Sequence, residues 1–333
     1  MEDIVLCYPA TTRHIKQIQS AMPDARILLS DQQSIRSDIE RATIFCGHAR
    51  EGLDWKRVVE LGRLKWVQSS AAGLDHCLHP AVIDSKVVVS GASVLFADQV
   101  AEQTLALLMA LIRKIPAFVL AQQRRSYERL PTDDLRGKSV GIVGFGGNGQ
   151  RIAQLLWPFG ITIVATDCFP DSVQSPDIEL LPESSLDELF KRSQIVIVTL
   201  PLTPRTNRLI GKRQFSLMPQ DSYFINVGRG QVVIESDLVG ALEDGQLCAA
   251  GLDVVESEPL PTGSPLWSMD NVLITPHVAA QSFSRNDDVT NLFCENLRRW
   301  REQKPLCNWV DKELGYPRPE HRITLEWLWS SRK

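Results

Sequence analysis

Three residues of different chemical type each follow an apolar run in the second half of the chain. Arg229 stands in INVGRG, Glu258 in GLDVVESEPLP and His277 in NVLITPHVAA. Each run reads as a buried strand, so the three belong at strand ends, on the carboxyl edge of a parallel sheet, where open α/β sheets bind ligands. Taken singly they are ordinary: a surface charge, a solvated carboxylate in a Pro-rich loop, a turn histidine. Together they suit one chemistry, addition of a hydride and a proton to a 2-oxo acid. A guanidinium binds a carboxylate by paired hydrogen bonds. An imidazole donates and recovers a proton near neutrality, and a carboxylate on its far nitrogen orients the ring and favours its charged form.

The hydride donor has its own signature upstream, in SVGIVGFGGNGQRIAQLLWPFGITIVATD, residues 139–167. It reads as strand, glycine turn, helix, strand, acid. Gly144, Phe145, Gly146, Gly147, Asn148 and Gly149 form a GxGxxG turn. Gly144 permits the tight bend, Gly146 lets the backbone approach a pyrophosphate, and Gly149 allows helix and strand to pack closely. The helix from about Gln150 to Phe159 directs its unpaired amides and positive dipole end at that pyrophosphate, and Gly160 stops it. Asp167 ends the second strand, where a carboxylate accepts from ribose hydroxyls and repels a 2'-phosphate, so the cofactor expected is NAD rather than NADP.

These groups need a large scaffold. The chain has 333 residues, 44% of them hydrophobic and 23% charged, which suits about two globular domains. A net charge of -4 argues against a nucleic-acid partner. Seven scattered cysteines without a CxxC pair fit neither a zinc site nor a disulfide framework and read as reduced thiols of a cytoplasmic protein. The N-terminus, MEDIVLCYPATTRH, lacks a signal-peptide core, and the apolar stretch from Ala101 to Ile115 contains Glu102 and Gln103 and is shorter than a membrane span. No membrane and no metal are expected.

Before residue 97, apolar runs at Ile4–Cys7, Arg26–Leu29, Thr43–Cys46, Lys65–Gln68 and Val87–Val89 alternate with amphipathic stretches, the pattern of a small parallel α/β unit. Its strand-end loops include SSAAGLD, whose small residues leave amides open to an anion, and Gly47-His48-Ala49-Arg50. The first reads equally as a plain turn, and a lone loop histidine such as His48 is more often a solvated residue than a substrate contact. A long helical pattern up to Ile115, stopped by Pro116, carries the chain onward, and residues 117–138 read as a polar arm. Four more strand candidates follow Asp167: Gln194–Leu200, Ser222–Val227, Cys248–Asp253 and Asn271–Thr275. That makes six in the second domain. A second long helix spans about Phe283 to Gln303, residues 305–316 look loop-like, and the tail with Trp327 and Trp329 is too aromatic to be solvated.

From about Lys65 to Tyr316 the chain resembles the D-isomer-specific 2-hydroxyacid dehydrogenases, through SSAAGLDH, VAEQTLALLMAL, VGFGGNG with Asp167, LPLTPRTNRLIG, MPQDSYFINVGRG, GLDVVESEPL, LWSMDNVLITPH and PLCNWVD in the family's order. The resemblance implies an α/β fold of two domains. A Rossmann domain, residues 98–283, would be inserted into a flavodoxin-like substrate domain, residues 1–97 and 284–333. It implies that Arg229 binds substrate, that His277 is the acid/base and that Glu258 pairs with it. Asp253 would hold the nicotinamide carboxamide. Thr199, Leu200 and Pro201 would line the adenosine side. Val227, Gly228, His277 and Ala280 would complete the cofactor contacts, and the amides of Ala72 and Gly73 would bind the substrate carboxylate.

Where the family commonly has an aliphatic residue, His and Gly, this chain has Asn148, Gln103 and Ala280. None of these departures removes a catalytic group. The expected function is NAD-dependent interconversion of a small 2-oxo acid and its D-2-hydroxy acid, of the glyoxylate/hydroxypyruvate type, by a homodimer. The alternative is an NAD(H)-sensing, corepressor-like interaction protein on the same fold.

Overall fold

The computed structural model describes residues 2–49, 52–172 and 178–332. The chain divides into two compact units. One is continuous, Ala97–Gln281; the other combines Met1–Phe96 with Ser282–Lys333.

The discontinuous unit is built on a wholly parallel five-stranded sheet in the order β2-β1-β3-β4-β5. The strands are β1 Asp3–Cys7, β2 Arg26–Leu29, β3 Ile44–Gly47, β4 Trp66–Ser69 and β5 Val88–Ser90. β3 and β4 are buried along their whole length; Ile44, Phe45 and Cys46 of β3 therefore read as an apolar run, whereas β4 also buries the polar Gln68 and Ser69. β2 is an edge strand and leaves Leu28 and Leu29 exposed. On one face Val5, Phe45, Trp55, Val67 and Val89 form a single apolar cluster. Trp66 stacks on Trp300 and meets Phe293, each with ring centroids 5.4 Å away. Those two partners lie on the helix Arg285–Arg301, so the end of the chain completes the core begun by its start.

The tail belongs to this same unit. Residues 305–316, read as a loop, lead through a short antiparallel pair, Val310–Asp311 with Tyr316–Pro317. The helix Leu325–Ser331 buries Leu325 and Leu328. Arg332 then places two nitrogens on the carboxylate of buried Asp288, at 2.9 and 3.1 Å.

The continuous unit carries a wholly parallel seven-stranded sheet in the order β12-β11-β10-β9-β6-β7-β8. Its strands are β6 Ser139–Val143, β7 Thr162–Asp167, β8 Ile178–Pro182, β9 Ile195–Val198, β10 Ser222–Asn226, β11 Leu247–Leu252 and β12 Val272–Ile274. Six strands were expected; β8 is the addition. It is an edge strand of sequence IELLP with no fully buried residue, and its terminal proline, tolerated only at an edge, argues against a strand on local pattern. The order reverses between β6 and β9, so the connections leaving their carboxyl ends run to opposite faces and open the crevice where such sheets take ligands.

The helix Ala97–Ile112 packs on this unit and buries Val100, Leu107, Leu108 and Leu111. Pro116 does not end it. The helix stops at Ile112, Lys114 takes the left-handed region with φ +53°, and a second helix, Ile115–Gln123, leaves at 65° with Pro116 in its first turn. The start of the arm is therefore helical, because proline has no amide to lose in a first turn and its φ is already helical. Ile115, Val119 and Leu120 on this helix are exposed. Among the described residues no single helix is long and apolar enough to cross a membrane.

Candidate active site

The glycine turn follows β6 and enters the helix Gly147–Leu156. Gly144 has φ +93°, and a methyl group there would lie 3.0 Å from Thr199 Oγ1 and from a Leu200 methyl. At Gly149 an added Cβ would fall 2.3 Å from the carbonyl oxygen of Gly144; only glycine lets the helix sit that close to the strand. Gly146 differs, since nothing lies within 4 Å of an added Cβ. The helix is entered through Gly146 with no side-chain cap, so its first-turn amides have no acceptor within the helix. Two closed glycines fix the turn and one open glycine leaves space before an uncapped helix end, which fits the pyrophosphate of a dinucleotide.

Neighbouring strand ends brace the turn. The Thr199 hydroxyl, just past β9, donates to the Gly144 carbonyl at 2.7 Å. Asp167, ending β7, accepts the Phe145 amide at 2.9 Å on one oxygen and the Phe169 amide at 2.9 Å on the other. The second oxygen also takes the Cys168 thiol at 3.5 Å, so the oxygen facing the Phe145 amide is the one with a further lone pair for a ribose hydroxyl. Past Thr199, the Thr206 hydroxyl donates to the Pro201 carbonyl at 2.6 Å and closes the LTPRT turn.

Arg229 follows β10 between two glycines that the packing requires. A Cβ at Gly228 would meet the Leu200 carbonyl oxygen at 2.6 Å, and one at Gly230 the Val255 carbonyl oxygen at 1.9 Å. The GRG backbone is thus squeezed between the ends of neighbouring strands. Asn226 shapes it further: its side chain accepts the Gly228 amide at 3.0 Å and donates to the Arg229 carbonyl at 3.2 Å. Arg229 itself donates to the Gly228 carbonyl at 2.8 Å.

Glu258 Oε2 lies 2.7 Å from His277 Nδ1. A carboxylate can only accept, so Nδ1 carries the proton and Nε2 is the nitrogen left for exchange. The two side chains are 37% and 42% exposed, open enough to meet a ligand. Burial pushes the Glu258 carboxyl up, but the hydrogen bond and charge of His277, the Val255 amide and the Arg229 charge outweigh it and hold the group below the usual carboxylate range. The charge of Arg229 is felt at Glu258, which ties the three residues into one electrostatic group.

Asp253 sits beneath this group and is 1% exposed. It accepts the Thr275 hydroxyl at 2.6 Å and the amides of Val278 and Ala279 at 3.0 and 2.9 Å. Most of its acceptor capacity therefore goes to the loop carrying His277. Val227 is buried, and Ala280 is half-buried one residue beyond Ala279.

Ala72 and Gly73 lie in the discontinuous unit, past the carboxyl end of β4. Ser69 holds the turn, its hydroxyl donating to the Ala71 carbonyl at 3.1 Å and accepting the Ala71 amide at 3.0 Å. Among the described residues no acceptor takes the Ala72 or Gly73 amide. The ring of His48, past β3, stacks on that of His76 with centroids 4.0 Å apart. Sequence reasoning missed His76, Asn226 and Thr275 as shaping residues, although each lies inside a motif already singled out. Arg50 lies outside the described residues. Among the described residues no group of three His, Cys, Asp or Glu side chains could hold a metal.

Residues 105–279 match the family model described as D-isomer specific 2-hydroxyacid dehydrogenase, NAD binding domain. The chain is 30% identical over 272 residues to a glyoxylate reductase of Thermofilum pendens, covering 79% of each protein. It is 32% identical over 241 residues, 71% of its length, to a D-3-phosphoglycerate dehydrogenase of Methanocaldococcus jannaschii, of which it spans 45%. A solved D-isomer specific 2-hydroxyacid dehydrogenase from Xanthobacter autotrophicus, in complex with NADPH and MES, superposes with TM-score 0.80 at 28% identity, over 95% of this chain and all of that one.

Proposed function

The chain belongs to the D-isomer specific 2-hydroxyacid dehydrogenase family, and on that premise we propose that it reduces a small 2-oxo acid of the glyoxylate or hydroxypyruvate type to its D-2-hydroxy acid. The bound nicotinamide dinucleotide supplies the hydride. The observation that carries the reading is the 2.7 Å contact of Glu258 with His277, within reach of the charge of Arg229.

The side chains divide the remaining work. Arg229 binds the substrate carboxylate and draws electron density toward the carbonyl oxygen. His277, protonated on both nitrogens, gives the proton on Nε2 to the developing alkoxide, and Glu258 holds the ring through Nδ1–H and balances its charge. In the reverse direction the same nitrogen takes the proton back. The Ala72 and Gly73 amides are assigned to the substrate carboxylate from the family resemblance and from their lack of an internal acceptor.

The glycine turn and the uncapped helix end take the pyrophosphate, and Asp167 takes the adenosine ribose. With a carboxylate at that position NADH is the preferred cofactor, although the Xanthobacter relative was crystallised with NADPH. Seven cysteines outside any disulfide suit a reducing compartment such as the cytoplasm. The test is a panel of glyoxylate, hydroxypyruvate, phosphohydroxypyruvate, pyruvate and bulkier 2-oxo acids with NADH, run beside His277→Ala. The expected result is reduction of at least one small acid, with turnover lowered about 100- to 10,000-fold in the variant. Cofactor binding without turnover of any acid would reject the proposal.

A further inference from the structure

The imidazole of His277 is mounted on a turn that the backbone does not favour. His277 has φ +53°, the left-handed region that a residue with a Cβ enters only at a cost. Something must hold it there. Its amide donates to the carbonyls of Asp253 at 2.7 Å and Thr275 at 3.0 Å. The next two amides, of Val278 and Ala279, go to the two carboxylate oxygens of Asp253. Three successive residues of the catalytic turn thus hang from one buried aspartate.

What orients that aspartate is a directed chain of hydrogen bonds. The carboxylate can only accept, so the Thr275 hydroxyl donates its one proton to it, at 2.6 Å. That leaves the hydroxyl's lone pairs, and Gln103 Nε2 donates to them from 3.1 Å. Gln103 lies on the helix Ala97–Ile112, which packs on the same unit. A hydroxyl that receives a hydrogen bond donates a stronger one, so the amide of Gln103 tightens the grip of Thr275 on Asp253. Nothing in turnover chemistry requires a polar group at either position.

We propose that Gln103 and Thr275 are positioning residues for His277: through Asp253 they hold the 277–279 turn in the conformation that keeps the imidazole on Glu258. The inference rests on the reading of His277 as the proton donor. Neither residue need touch the substrate. Their loss displaces the acid/base group and leaves the glycine turn and Asp167 intact.

The test uses near-isosteric variants of the full chain. Thr275→Val removes the hydroxyl, Thr275→Ser keeps it, and Gln103→Met removes the donor. Turnover with NADH and glyoxylate or hydroxypyruvate should fall about 10- to 100-fold in Thr275→Val and about 10-fold in Gln103→Met, since small misplacements of a reacting group cost rates of this order. NADH affinity by fluorescence should stay within about twofold, and Thr275→Ser should return to within about threefold of the parent. The second readout needs no turnover: the ring signals of His277, assigned by comparison with His277→Gln, should move in Thr275→Val and Gln103→Met and stay in Thr275→Ser. Unchanged ring signals together with parental turnover would overturn the proposal. So would a loss of turnover, NADH binding and thermal stability in parallel that serine does not rescue. If the parent reduces no 2-oxo acid, the proposed function fails, and the ring signals alone then decide whether the chain of bonds sets the turn.

Discussion

Glu258 reaches His277 across 19 positions of sequence to make a 2.7 Å contact at Nδ1, and its carboxyl is held below the usual carboxylate range. A depressed pKa means that Glu258 stays charged throughout the neutral range and loses its charge only in acid, below the usual carboxylate range. Glu258→Gln keeps a hydrogen-bond acceptor but removes the charge that favours the protonated imidazole. The alkaline limb of kcat/KM for 2-oxo acid reduction should therefore move to lower pH. A pH profile of parent and variant checks this, and an unmoved alkaline limb would detach Glu258 from the proton donor.

Arg229→Lys should raise the KM for the 2-oxo acid and also lower turnover, because an ammonium cannot make the paired contact of a guanidinium. A combined loss of about 100-fold in kcat/KM is expected. NADH affinity should be nearly unchanged. Steady-state kinetics beside cofactor titration separate the two effects.

Asp167 both braces the glycine turn and faces the ribose position in the proposed complex. Asp167→Ala should therefore weaken NADH binding and relieve repulsion of NADPH, so that the ratio of the two dissociation constants moves toward one. Equal affinity for both cofactors in the parent would refute the ribose role. Titration by fluorescence resolves it.

The exposed Ile115, Val119, Leu120 and Tyr127 lie along the helix and arm that follow Lys114, and a second copy of the chain is their proposed cover. Light scattering at micromolar concentration should give a dimer. Val119→Glu with Leu120→Glu should give a monomer, since an unpaired charge is costly inside an apolar contact. A parent that is monomeric at that concentration would remove the proposal.

Asp288 is buried and draws its charge-balancing partner from Arg332, near the end of the chain. Arg332→Ala should lower Tm by roughly 5–10 °C, as removing one partner strands a buried charge. Differential scanning calorimetry tests it, and an unshifted Tm would show that solvent replaces the arginine.

Much of this molecule could be read directly from its residues. Parallel strands covered on both faces announce themselves as apolar runs, as β3 and β9 do, whereas β8 at a sheet edge carries glutamate and proline and does not. Pro116 was read as a stop and is a start, because proline is equally suited to the turn before a break and the turn after it. The candidate residues Arg229, Glu258 and His277 stood out because each sits at a strand end in a motif of distinct residue types. Their supports did not. Gln103 meets Thr275 across 172 positions, and no local pattern declares such a contact; nor does one predict that His48 and His76 stack.

The interrupted unit carries a further implication for how the chain is made. Gln68 accepts from Ser90 and from Asn296, each at 2.8 Å, and Asn308 donates to the carbonyls of Gly91 and Ser93. These groups are buried, so the first 96 residues emerging from the ribosome carry polar atoms whose partners lie about two hundred positions downstream. Leaving them unmet costs on the order of 1–3 kcal/mol each. The inserted unit, by contrast, is complete once Gln281 has emerged. Synthesis is therefore out of step with assembly: the middle of the polypeptide can settle first, while the sheet of residues 3–90 waits for Asn296 and Asn308 to be translated.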